Sequence, residues 1–161
     1  MKNKNLFVAI LLAFTFLISG LIGASSIAFA EEAVSYNCKA ALLMDADTGK
    51  TVFQKNQTER LQIASMVKIM TLNLIFEEIE SGNINYDTEV IASQYSTSMG
   101  GSQAFLDANN SYKASELIKS IIVGSANDSC VAMAEHISGS VSAFVGRMND
   151  KAEKLGMKNT Y

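Results

Sequence analysis

Hydrophobic positions are almost continuous from residue 6 to 29, broken only by small and hydroxyl residues. Two short apolar runs, 40–45 and 51–54, then flank Ala46-Asp47-Thr48-Gly49-Lys50. That pattern predicts a β-hairpin with Gly49 at the left-handed turn position, and Asp45 and Asp47 as turn formers rather than an acid pair. From 62 to 80, apolar residues at 66, 67, 69, 70, 72, 74, 75, 76 and 79 leave little polar face. Such a segment predicts a core helix enclosed on most sides, ending near Glu80 with Gly82 as its stop. Residues 83–110 read as irregular, with a short strand at 89–91 and a flexible turn at Met99-Gly100-Gly101-Ser102. Helical periodicity returns at 114–123, 128–137 and 141–155, with caps for the first offered by Ser111 and 113–116.

Two polar residues do not fit a purely structural core helix. Ser65 stands where an N-cap stands, but Lys68 falls in the first turn, where the helix dipole disfavours a cation. The dipole and its apolar neighbours Val67, Ile69 and Met70 are expected to favour the neutral amine. Three residues apart, Ser65 and Lys68 share a helix face. A hydroxyl beside a lysine that can be neutral is a nucleophile with its base. Read blandly, the same pair is a capping serine and a lysine that snorkels to solvent.

The N-terminal run changes the compartment. Lys2 and Lys4 precede it, and Ala28-Phe29-Ala30 followed by Glu31 and Glu32 forms a small-x-small cleavage site, so 1–30 reads as a secretory signal peptide. A retained membrane anchor is the alternative, since the run is long enough to span a bilayer. Cleavage removes two lysines and no acid, moving the net charge from −3 to −5. A mildly acidic exported domain is poorly suited to nucleic acid or anionic membranes. Cys38 and Cys130 could pair outside the cell, but small buried hydrophobes are the favoured reading. No cofactor is implied, and with His136 the single histidine, read as a helix-surface residue, metal chemistry and a Ser-His-Asp triad have little support.

A second polar group lies in the interhelical turn Gly124-Ser125-Ala126-Asn127. Its S-x-N pattern is unspecific; Ser35-Tyr36-Asn37 and Ser81-Gly82-Asn83 repeat it. Geometry separates them, because Ser81 lies sixteen residues along the helix from Ser65, roughly 24 Å away. Ser35 follows the cleavage point. Only the turn at 125–127 is free to fold back on the start of the core helix.

Taken in order, Asp45-Ala46-Asp47-Thr48-Gly49-Lys50, Ile63-Ala64-Ser65-Met66-Val67-Lys68-Ile69-Met70-Thr71, Gly124-Ser125-Ala126-Asn127-Asp128-Ser129-Cys130 and the stretch 144–160 resemble the serine D-alanyl-D-alanine carboxypeptidases, the low-molecular-mass penicillin-binding proteins. The resemblance covers 38–161 and implies an α/β (α+β) fold of the β-lactamase/transpeptidase type. It implies Ser65 as nucleophile, Lys68 as base, Ser125 as proton relay and Asn127 as a substrate-amide ligand. Half an oxyanion hole would come from the Ser65 N–H. The implied partners are a peptidoglycan stem peptide ending in D-Ala-D-Ala and β-lactam antibiotics, at the outer face of the cytoplasmic membrane.

The chain departs from that pattern in having no K-T-G, which in the family lies on a later strand, and Ile63 stands where many relatives have proline. The expectation is an N-terminal portion, as a fragment or a truncated product, lacking later strands and any C-terminal anchor. Alone, 31–161 would leave a hairpin edge unpaired and fold marginally. A class A β-lactamase is a competing reading. Ala126 within S-x-N and the want of a Glu-x-x-Leu-Asn stretch argue against it. A non-catalytic exported peptidoglycan binder is the other.

Overall fold

The computed structural model describes residues 36–161, so the expected signal peptide at 1–30 lies outside the described residues. The chain divides into two units between Gln57 and Thr58.

The first unit is the hairpin. Strand β1 (Ala41–Met44) pairs antiparallel with β2 (Thr51–Lys55), Leu43 opposite Phe53, with an irregularity between Leu43 and Met44. Asp45 builds the turn: its carboxylate accepts from the Thr48 N–H at 2.8 Å and from the Thr48 hydroxyl. These bonds hold the Asp45 carboxyl below its usual range. Gly49 follows at φ +69°, in the left-handed region that favours glycine. Ahead of β1, Lys55 Nζ donates to the Tyr36 carbonyl, and the Tyr36 ring meets Phe53 edge-on at 4.9 Å. Cys38 is exposed with a free thiol, against the expectation of a buried hydrophobe.

The second unit is mostly helical. A 3₁₀ turn (Ala64–Val67) leads into α1 (Lys68–Glu80). After it come β3 (Glu89–Ile91), α2 (Gln94–Thr97), β4 (Ser111–Lys113), α3 (Ala114–Gly124), α4 (Asn127–Ser138) and α5 (Val141–Lys154). The three later helices match the periodicity to within about a turn, because each buries an apolar stripe. Ile75 of α1, Val90 of β3, Leu117 and Ile121 of α3 and Met133 of α4 close one core. A smaller cluster joins Leu74, Ala134 and Phe144. Glu78–Arg147 and Glu77–Lys151 ion pairs tie α1 to α5, and the Arg147 guanidinium lowers the Glu78 carboxyl.

Several expectations need correction. The core helix is covered on one side: Leu74 and Ile75 are buried, whereas Met66 is 61% and Ile69 70% exposed. Packing against α4 and α5 covers one face, which includes buried Lys68 and Thr71, and Met66 and Ile69 lie off it. Ser65 is no N-cap, since it sits inside the 3₁₀ turn with Ile63 ahead of it and makes no capping bond. Ser111 does not cap α3; it lies in β4, which pairs with β3, and its hydroxyl donates to Glu89 across the ladder. Residues 99–102 are held by hydrogen bonds from Asn127 rather than forming a free turn.

Candidate active site

Lys68, the first residue of α1, is only 9% exposed. Its Nζ lies 3.3 Å from Ser65 Oγ, 3.1 Å from Ser125 Oγ and 2.6 Å from Asn127 Oδ1. The Lys68 amine thus gathers the other three residues singled out in the sequence, and the four come from two separate stretches, 65–68 and 125–127.

Each segment is bent to do so. Ala64, just before Ser65, has φ +47°, and the 3₁₀ turn that follows brings Ser65 and Lys68 together at a spacing of three. Ser125 ends α3 in the left-handed conformation at φ +55°, and Ala126, fully buried, donates its N–H to the Ser120 carbonyl. Asn127 opens α4. A non-glycine residue in the left-handed region costs roughly 1–2 kcal/mol, so the backbone on both sides of the amine is held under strain.

The Asn127 amide has a defined orientation. Its Nδ2 donates to the Gly100 carbonyl at 2.7 Å, which leaves Oδ1 facing Lys68. Oδ1 only accepts, so Lys68 must spend a hydrogen there. In a neutral amine one hydrogen and the lone pair are then left for the two hydroxyls. Asn127, expected only to bind substrate, therefore also orients the amine.

Two features escaped the sequence reading. Asp128 is 1% exposed and accepts from the N–H groups of Ala104 at 3.0 Å, Leu106 at 3.2 Å and Ser129 at 2.9 Å. An acid in the first turn of a helix is ordinary, so sequence alone gave it no distinction. Gly101 lies so close to Asn127 that an added Cβ would stand 2.9 Å from Nδ2. Cys130, free and partly buried, has its thiol pushed up to about 11 by burial, with the Lys68 charge opposing. His136 is exposed near the end of α4. An open hollow of about 380 Å³ lined by Glu89, Ile91, Ser93, Glu135, His136 and Gly139 shares no residue with the Lys68 cluster. Among the described residues no three His, Cys, Asp or Glu side chains are grouped to hold a metal, and no helix is long and apolar enough to cross a membrane.

Comparison with known proteins places the chain in a family. Residues 27–161 match the family model described as D-alanyl-D-alanine carboxypeptidase, peptidase S11. The D-alanyl-D-alanine carboxypeptidase DacF of Bacillus subtilis is 47% identical over 127 residues, 79% of this chain and 33% of that protein. The crystal structure of DacD from Francisella tularensis superposes with a TM-score of 0.77 at 36% identity, over 80% of this chain and 31% of that one. Penicillin binding protein 5 from Haemophilus influenzae gives 0.75 at 32% identity, over 78% of this chain and 38% of that one. The transpeptidase-like mixed fold implied by the resemblance is thus the fold of the matched part. The chain spans about a third of the length of these relatives. The chain belongs to the D-alanyl-D-alanine carboxypeptidase family.

Proposed function

We propose that the Lys68 cluster is the acylation site of a serine-type D-alanyl-D-alanine carboxypeptidase that acts outside the cell on peptidoglycan stem peptides and is trapped by penicillins. The observation that carries this reading is the convergence of Ser65, Ser125 and Asn127 on one buried amine, at 3.3, 3.1 and 2.6 Å.

Ser65 Oγ attacks the carbonyl carbon between the two terminal D-alanines while Lys68 Nζ takes its proton. The oxygen of the tetrahedral intermediate is met by the Ser65 N–H, an orphan donor at the head of the 3₁₀ turn. Collapse breaks the C–N bond, and the proton held on Lys68 passes through the Ser125 hydroxyl to the leaving nitrogen. D-alanine departs and an ester remains on Ser65. Water then adds to that ester, returning the hydroxyl and releasing the shortened peptide. A β-lactam follows the first step alone: its ring amide opens, the amine stays tethered, and the ester persists. Asn127 Nδ2, held on the Gly100 carbonyl, offers its edge to the substrate backbone.

The test is covalent labelling by a fluorescent penicillin. The reading expects one label per chain, lost in Ser65→Ala. A folded sample that takes no label would overturn it. Rapid penicillin hydrolysis in place of a lasting adduct would indicate a β-lactamase. Muropeptide binding that survives Ser65→Ala without any labelling would indicate a non-catalytic binder.

A further inference from the structure

The buried acid next to Asn127 takes no part in the steps above, yet its surroundings are built around it. Asp128 is almost wholly enclosed, and its carboxylate collects the N–H groups of Ala104 and Leu106, from the segment that ends the 99–106 rim, together with that of Ser129 in its own helix. The rim residue between those two donors, Phe105, is held at φ +58° and is 82% exposed. A left-handed backbone is unusual for an aromatic residue and persists only where neighbours over-determine it. Here the neighbours are the two flanking amides fixed on one carboxylate. The other end of the rim meets Asn127: the Asn127 N–H donates to the Ser102 carbonyl at 2.7 Å and Nδ2 to the Gly100 carbonyl at 2.7 Å. Gly101 passes so near that a side chain there would displace the amide.

We infer that Asp128 is a positioning residue for acylation: its carboxylate fixes the 100–106 rim, and the rim locks the Asn127 amide with Oδ1 on Lys68. The inference rests on the reading of the Lys68 cluster as the acylating site. Asn127 is an amide that could face either way on its own. The Gly100 carbonyl, which can only accept, removes that choice. Without the rim the amide is free to turn its NH₂ toward Lys68, where it meets the amine's hydrogens or occupies the lone pair that serves the hydroxyls, and the lysine loses its shortest contact. A neutral Asn at 128 accepts through one oxygen only and sets an NH₂ against one of the rim amides, so the strap is broken without a change in volume.

The test compares Asp128→Asn, Gly101→Ala and the unaltered protein in fluorescent-penicillin labelling followed to completion. Gly101→Ala reaches the same amide from the exposed side of the rim and leaves the buried carboxylate intact. The expected result for both is a rate constant lowered about 10- to 100-fold with the final labelled fraction of folded protein unchanged. A merely structural role would lower the fraction that labels and leave the rate of the remainder as before, which would overturn the inference. So would equal rates in all three. Failure of the unaltered protein to label at all would instead remove the acylation reading on which this one stands.

Discussion

Replacing Lys68 by Met removes the amine while keeping an unbranched chain that fills the same buried channel. Three oxygens within 3.3 Å lose their common partner. For chemistry, the loss is that of a positioned general base, about 10²- to 10⁴-fold, or about 3–5 kcal/mol of barrier. For stability, two terms oppose each other. Asn127 Oδ1 is left unpaired, at about 1–3 kcal/mol, while the cost of enclosing a polar amine disappears and an apolar side chain takes its place. The variant is therefore expected to stay folded and to label slowly. Lys68→Arg completes the experiment, because a guanidinium still donates hydrogen bonds and cannot act as a base. Labelling time courses with a fluorescent penicillin, alongside thermal melts, read both quantities. Either variant acylating within threefold of the unaltered protein would refute the assignment of Lys68 as base.

Three further outcomes follow from the same geometry. Ser125→Gly and Ser125→Ala both lose the relay hydroxyl and should acylate slowly, but glycine relieves the backbone at φ +55° and alanine does not, so thermal melts should place the glycine variant roughly 1 kcal/mol above the alanine one; equal melts would contradict the strain. Glu78 has its carboxyl lowered by Arg147, so the bond between α1 and α5 contributes fully above the ordinary carboxylate range and is lost as pH falls through the lowered value; Glu78→Gln should cost about 1–2 kcal/mol near neutrality and little in strong acid, read from denaturant midpoints across pH. Cys130, with its thiol raised to about 11, should alkylate far more slowly at pH 8 than exposed Cys38, and the difference should vanish on unfolding; comparable rates in the folded protein would contradict the burial.

Much of the fold was legible because it is local. The Asp45 and Gly49 turn is written in residues that can scarcely do anything else between two apolar runs. The helices at 114–124, 127–138 and 141–154 show in the spacing of their buried residues. The association of Ser125 and Asn127 with Lys68 was legible too, once Ser81 was set aside on distance and Ser35 because it follows the expected cleavage point. What stayed hidden depends on contacts distant in sequence. The strand at 89–91 was expected, but its three-residue partner β4 carries too short a pattern to declare itself, and Ser111 reads as a cap until its partner Glu89 is known. The 3₁₀ turn at 64–67 has no compositional mark, since it follows from the left-handed Ala64. Asp128 looks like any acid at a helix start until the rim amides are seen on it. The exposed face carrying Met66 and Ile69 shows the converse error, in which apolar periodicity was taken for enclosure on most sides.

The most direct test of the account is where penicillin lands. The protein is incubated with benzylpenicillin and digested, and the peptides are mapped by tandem mass spectrometry. The account predicts a single modified peptide, heavier by one intact penicillin because ring opening loses no atom, with the added mass on Ser65. A modification confined to any other residue, or a folded protein that carries none, would contradict it.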